Sequence, residues 1–447
     1  MRRNSSLIKS LLLLWVVSGA MSVQAQQLNL KACVDYALQN HPSVTVYNNE
    51  KRISNQRTIE LLSPYMPQVN AVYNWDDNFK RQTNVIPAGT FGNPEDIKVQ
   101  FGLQYNNNAY FQVDQAIFDQ TMIYADPGIR NTKQAADLNI QRNNEALVYN
   151  TAVAYYRVLT ASEQEKLLQQ NQKKFEDLIK VLQLQYDKGA LKKVDLDRVK
   201  VSYNNITSQL TVVRTNHELA LNTLKNAMGM QIQSSLNVED SVNYNADVKM
   251  PEAATFNFKN RLDYQLLNTN IALQTVDMKR KKTSFLPNLS GYVRYGGQSF
   301  NNDFAQSFNN WFDYGSVGLK LSVPIFSGLR RHSQYMQSKF AVDNAKLNLQ
   351  ITENQMQLEQ QNAQTQLFSS FTNLNNNKAN LELAKEVFDN TSLQYQQGAA
   401  SLSDFLNADY SYKEAQSNYI TSLLNFLSAR LDYEKSQGNL VNYINTL

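Results

Sequence analysis

The chain has 447 residues, with 43 Lys and Arg against 39 Asp and Glu, one cysteine and three histidines. That length allows two or three structural units. The single cysteine excludes an intrachain disulfide framework, the scattered histidines argue against a histidine-built catalytic centre, and 15 Gly with 9 Pro exclude a linker-rich or fibrous chain.

Residues 1–25 carry Arg2, Arg3 and Lys9, then the apolar run 11–17, then Val23-Gln24-Ala25. A basic start, a short apolar stretch and a small-residue cleavage site describe a secretory signal, expected to be cut after Ala25. The run is too short to span ~30 Å of hydrocarbon as a helix, which disfavours the alternative of an uncleaved anchor. Loss of this segment leaves a net charge of about +1, with no electrostatic footprint for nucleic acid. Cys33 lies well past the apolar run and reads as a buried helical thiol. No later run of ~20 apolar residues follows, so an exported chain is periplasmic, secreted, or a strand-built protein of the outer membrane.

The next elements alternate with period two. Val69, Ala71, Tyr73 and Trp75 alternate with Gln68, Asn70 and Asn74; Val99, Phe101, Leu103 and Tyr105 alternate with polar neighbours and Gly102. Later, Leu289, Gly291, Val293 and Tyr295 do the same, as do Val317, Leu319, Leu321 and Val323. These patterns predict four strands, each apolar on one face and polar on the other. At ~9–11 residues they have the length of tilted membrane-crossing strands. Trp75, Tyr295, Trp311 and Tyr314 are expected near strand ends, in an interfacial girdle. An ordinary sheet packed on a core is the alternative. Loops near 77–97 and 297–313 are expected to face outward.

Between the strand pairs lie long helical stretches. Residues 128–187 and 328–396 contain no proline and are rich in Leu, Ala, Gln, Glu, Lys and Asn. At ~1.5 Å per residue each would run roughly 90–100 Å. Leu147, Ala154, Ala161, Leu168, Phe175 and Leu182 recur every seven residues, as do Leu367, Leu374, Leu381, Phe388 and Tyr395. That spacing predicts a coiled-coil-like seam. A second helix follows each rod, at 194–228 and 402–436, with Gly189 and Gly398 ending the first helix of each pair.

The order of elements is written twice. Ser63-Pro64-Tyr65-Met66-Pro67-Gln68-Val69 returns as Ser284-Phe285-Leu286-Pro287-Asn288-Leu289. Ala116-Ile117-Phe118-Asp119 returns as Pro324-Ile325-Phe326-Ser327. Tyr186-Asp187-Lys188-Gly189-Ala190 returns as Tyr395-Gln396-Gln397-Gly398-Ala399. The division expected is a signal at 1–25, a first repeat at 26–240 and a second at 241–447, each a strand hairpin plus a long helical hairpin. Four strands cannot close a barrel, and an open edge does not sit in lipid, so several chains must share one barrel.

These residues resemble the TolC family of outer membrane efflux and secretion ducts over about 28–447. The resemblance rests on Leu28-Asn29-Leu30 with Asn40-His41-Pro42, on Pro287 before a strand, on Val323-Pro324-Ile325-Phe326-Ser327-Gly328 with Arg330 and Arg331, on Tyr395 and Gly398 with Asp404, Leu406 and Ala408, and on Leu224 with Gly229. It implies an α+β membrane protein: a homotrimer with four transmembrane β-strands per chain in a shared β-barrel, continuing into a coiled-coil periplasmic tunnel. It implies a passive duct in the outer membrane lipid, opened by an inner-membrane efflux or secretion transporter and a periplasmic adaptor protein. Drugs, metal ions and secreted proteins leave by such ducts, and the pump chooses among them.

Residue by residue, the resemblance places Tyr186, Gly189, Asp195, Tyr395 and Gly398 at the helical-hairpin tips and gate, with Asp195 hydrogen-bonding Tyr395. It places Asp404 and Asn407 at the tunnel-entrance constriction, where the family's best-known member has two acidic residues. That member's basic tip residue is Ala400 here, so one part of the latch is missing. Three Asp404 carboxylates around an axis would raise the cost of ionising one another and favour cations. Asp404 is also well suited to starting a helix, and the two roles can coexist.

Two rivals remain. No paired catalytic side chains, metal spacing or phosphate loop is present, so neither an enzyme nor a cofactor is expected. His41 reads as a cap residue; His217 and His332 lack a ligand-type partner at i±4. A periplasmic coiled-coil adaptor or structural scaffold would share the helical hairpins but would have no use for two amphipathic strand hairpins.

Overall fold

The computed structural model describes residues 28–92, 94–238, 250–251 and 256–447. The expected signal segment and the repeat boundary at 240/241 lie outside the described residues. The chain forms two compact units, and each draws on both halves of the sequence. One comprises Asn49–Asp137 and Leu266–Gln350; the other comprises the residues up to Asn48, Leu138–Gln265 and Ile351–Leu447.

The first unit holds the strands. These are β1 (Gln68–Asp77), β2 (Thr83–Ile86), β3 (Ile97–Gln100), β4 (Tyr105–Phe118), β5 (Asn288–Asn301) and β6 (Phe312–Ser322). β1, β4, β5 and β6 form one antiparallel sheet in that order, and β2 and β3 form a separate hairpin. The register aligns Val69, Val113, Val293 and Val317 in a single row across all four strands. The adjacent row is Asn70, Gln112, Arg294 and Ser316, pointing to the opposite face. The sheet thus has one apolar and one polar side. Val69, Val293 and Val317 are 53–80% exposed, so no core among the described residues covers the apolar side there. On the polar side the Arg294 Nε and Nη2 donate to Gln112 Oε1 at 2.8 and 2.6 Å, and Gln112 Nε2 donates to Asp114.

The second sheet strand differs from the expectation. Gly102, at φ 85°, turns the chain inside the alternating stretch 99–105. Ile97–Gln100 therefore pairs with β2, and Tyr105–Phe118 enters the main sheet. β4 hides from pattern reading because Asn107 lies on its apolar side. There Asn107 is fully buried, accepts from Tyr73 Oη at 2.5 Å, and donates to the Ser307 carbonyl at 2.7 Å. The segment 77–97, expected to face outward, accordingly holds β2, and β5 runs on to Asn301, leaving a shorter loop before β6. Trp75 does join a cluster at the strand ends with Tyr105, Phe304 and Phe308. Tyr295 lies mid-strand instead, and Tyr314 sits on the polar side, donating to Asn108 Oδ1 at 2.8 Å.

Helices make up the rest: α1 (Leu30–Asn40), α2 (Pro42–Leu62), α3 (Ala125–Asp187), α4 (Lys193–Met228), α5 (Leu262–Thr283), α6 (Arg330–Gln396), α7 (Leu402–Gln437) and α8 (Leu440–Thr446). α3 begins three residues earlier than expected, since Pro127 is tolerated in a first turn. In the second unit the seven-residue stripes turn inward. Leu147, Ala154, Phe175 and Leu182 of α3 are buried, as are Leu367, Leu374 and Phe388 of α6, while Ala161, Leu168, Leu381 and Tyr395 are half-buried. They feed two clusters. One packs α1, α3, α4, α6, α7 and α8 around Tyr156, Leu224, Phe426 and Leu440. The other gathers Phe175, Leu182, Leu196, Val199, Phe388 and Phe405 beside the two interhelical turns. Cys33 is fully buried in the first, and burial pushes its thiol up to about 12.

Candidate functional site

The turns after α3 and α6 close in the same way. Gly189, at φ 71°, donates to the Tyr186 carbonyl at 2.9 Å, and the Ala190 N–H reaches Gln185 O at 2.8 Å. Gly398, at φ 76°, donates to Tyr395 O at 3.0 Å, and the Ala399 N–H reaches Gln394 O at 2.8 Å. The left-handed glycine lets each helix satisfy its last carbonyls while the chain reverses.

The helices that follow start differently. α4 has no side-chain cap at Lys192, but Asp195 sits in its first turn. α7 begins with a reciprocal capping box. Ser401 Oγ accepts from the Asp404 N–H at 3.2 Å, and Asp404 Oδ2 accepts from Ser401 N–H and Oγ–H at 3.1 and 2.6 Å. The two Ser401 donors hold the Asp404 carboxyl below its ordinary value. Asp404 and Asn407 are both exposed and lie one turn apart on one face of α7, whereas Phe405 and Ala408 turn into the cluster.

Tyr395 starts an aromatic column. It stacks on Phe405 at 5.3 Å; Phe405 meets Phe388 at 5.7 Å; Phe388 stacks on Tyr412 at 5.4 Å. Burial, and then the nearby Asp195 charge, push the Tyr395 phenol up. Asp195 acts on Tyr395 through its charge alone; the partner it meets is Arg198 of its own helix, at 3.5 Å. Tyr186 is half-exposed beside its turn. Ala400 follows Gly398 by two and offers no cation.

Two further groups escaped the sequence reading. Asp409 and Lys413 of α7 form an ion pair at 2.5 Å, with side chains 9% and 20% exposed. Burial pushes the Asp409 carboxyl up and the Lys413 ammonium down. The Lys413 ammonium also lies 4.0 Å over the Phe175 ring of α3, and Lys174 of α3 lies 5.5 Å over the Phe388 ring of α6. The Asp–Lys spacing of four was the available signal, but the same spacing decorates ordinary exposed helices. The other group is Glu165, which accepts from His217 Nδ1 at 2.9 Å and Arg214 Nε at 3.1 Å, tying α3 to α4. His41 caps the start of α2, its Nδ1 accepting from the Ser43 N–H at 3.2 Å.

A duplicated pair of helical hairpins and a two-faced sheet invite comparison with known proteins. A family model described as outer membrane efflux protein matches residues 261–440. The outer membrane protein TolC of Escherichia coli K12 is 20% identical over 91% of this chain and 83% of its own length. The solved CusC channel superposes with a TM-score of 0.75 at 14% identity, over 91% of both chains. The CmeC outer membrane channel of Campylobacter jejuni gives 0.72 at 17% identity, over 94% of this chain and 91% of that one. Over most of its length the chain is similar to the TolC family of outer membrane efflux proteins. Like these TolC-family channels, it is an α+β protein of the outer membrane, its few strands joined to long helices. TolC-family likeness spans both halves of the chain, although the family model itself lies in the second.

Proposed function

We propose that three copies of this chain form a passive exit duct of a tripartite efflux pump or type I secretion system. Each chain contributes β1, β4, β5 and β6 to one shared barrel, with the valine row toward lipid and the Asn70–Gln112–Arg294–Ser316 row toward the lumen. The α3–α4 and α6–α7 hairpins build the periplasmic tunnel. An inner-membrane transporter and a periplasmic adaptor open it at the turns around Gly189 and Gly398. The Asp404 carboxylates and the Asn407 amides ring the entrance. The division into repeats at 26–240 and 241–447 fits the matching turns of the two hairpins.

The observation that carries this reading is the sheet. Among the described residues one of its faces is apolar and uncovered, and β1 and β6 each have one strand neighbour. In lipid such edges must be paired, and only other copies present the complementary strands. α6 supports it with Ile351, Leu358 and Leu383 at 53–65% exposure, and α4 with Val194, Val201, Val212 and Leu219 at 57–59%. Apolar stripes of that kind serve as seams between chains. A periplasmic scaffold leaves this sheet without a role.

The native mass of the detergent-extracted outer membrane protein tests the reading. A trimer that conducts in planar bilayers is expected. A monomer, or a protein washed from membranes by salt alone, refutes it.

A further inference from the structure

We propose that Glu414 supplies a second ring of carboxylates in the lumen, deeper than Asp404, and that the two rings together set the duct's preference for cations. The inference rests on the trimeric-duct reading, in which Asp404 and Asn407 face the lumen. Asn407 and Glu414 are seven residues apart on α7, so in a supercoiled helix they occupy equivalent positions. Asp404, Asn407, Ser411, Glu414 and Asn418 thus make one exposed polar stripe, with Glu414 about 10 Å further along the helix than Asn407. The carboxylate that position 407 lacks returns one heptad on.

The charge of that stripe is not compensated by its own helix. Lys413 is the only Lys or Arg of α7 before Arg430. Its ammonium is turned away, held by Asp409 at 2.5 Å and by the Phe175 ring at 4.0 Å. Glu414 makes no ion pair among the described residues. It lines a groove of about 640 Å³ between α7, α3 and α4, whose other charged lining residue is that same occupied Lys413. The buried pair therefore has a consequence at the surface: it withdraws the one cation that α7 itself carries beside the stripe and leaves two carboxylates per chain on it. A trimer would carry six, in two layers.

Three unit charges about 10 Å from an axis at ~0.1 M salt change the local cation-to-anion ratio roughly fivefold. The test is the reversal potential of single channels in a planar bilayer under a KCl gradient, using trimers verified by native mass. Glu414→Gln is expected to lower cation preference several-fold, with Asp404→Asn adding to it. The double variant Asn407→Asp with Glu414→Gln moves the ring up one heptad and is expected to restore the preference, which a merely structural role would not do. Unchanged selectivity in Glu414→Gln channels overturns the second ring even if Asp404→Asn shifts the potential. A wild-type protein that forms no channel overturns the duct itself, so the two failures are told apart.

Discussion

Gly229→Ala offers a controlled measure of how tightly the helical unit is closed. Gly229 ends α4 in the left-handed region, at φ 72° and ψ 22°. A methyl group there carries two separate costs. The conformation itself costs an L-residue about 1–2 kcal/mol. The added Cβ would also lie 2.7 Å from the backbone Cα of His41 and 3.1 Å from Pro42 Cδ, at the junction of α1 and α2. Backbone cannot swing aside as a flexible side chain can, so the junction must shift, which costs about 1–3 kcal/mol more. The sum is about 2–5 kcal/mol. Gly398→Ala is the control: it has φ 76°, and a Cβ there meets nothing within 4 Å, so only the conformational cost applies. Thermal unfolding of both variants in detergent, followed by helical circular dichroism, should rank Gly229→Ala well below Gly398→Ala. Equal midpoints would refute the claim that close approach at His41, rather than backbone conformation, makes glycine obligatory at 229.

Three other outcomes follow from the same geometry. Lys413→Met strands the buried Asp409 carboxylate and should destabilise the fold by about 3–5 kcal/mol, whereas Lys413→Met with Asp409→Leu should recover most of it; equal losses in thermal midpoint would show the pair is not coupled. Val317→Lys places a charge on the apolar sheet face and should cost about 2–4 kcal/mol of membrane stability, while Ser316→Lys on the polar face should be tolerated; the yield of heat-modifiable trimer in outer membranes decides between them. Because its two Ser401 donors depress the Asp404 carboxyl, the stability it gives the start of α7 is fully present above the unfolded carboxylate value of about 3.9 and is lost as pH falls through the lower folded value. Hydrogen exchange at residues 401–405 should therefore hold steady from pH 7 to 5 and loosen only below that range, and Ser401→Ala should loosen it already at pH 7.

Long local patterns were legible in the sequence. The helical rods needed only their seven-residue stripes and the absence of proline, because a helix closes its own hydrogen bonds and its buried stripe repeats with the helical period. The two glycine turns were legible for the same reason: each is settled within about six residues by one left-handed glycine. Three strands of the main sheet declared themselves through strict alternation. The fourth did not, since Asn107 breaks the alternation of β4, and its burial is permitted only by Tyr73 and the Ser307 carbonyl, which lie 34 and 200 residues away in sequence. At the site, sequence supplied Tyr186, Gly189, Asp195, Tyr395, Gly398, Asp404 and Asn407 as positions. Only the folded chain assigned their partners: Asp195 to Arg198, Asp404 to Ser401, Tyr395 to the stack running through Phe405 to Tyr412. It also drew Lys413 inward over Phe175, a ring on a helix more than 200 residues earlier. Periodicity tells which residues share a face of one helix; what that face meets depends on packing between distant segments, and that is a property of the tertiary structure alone.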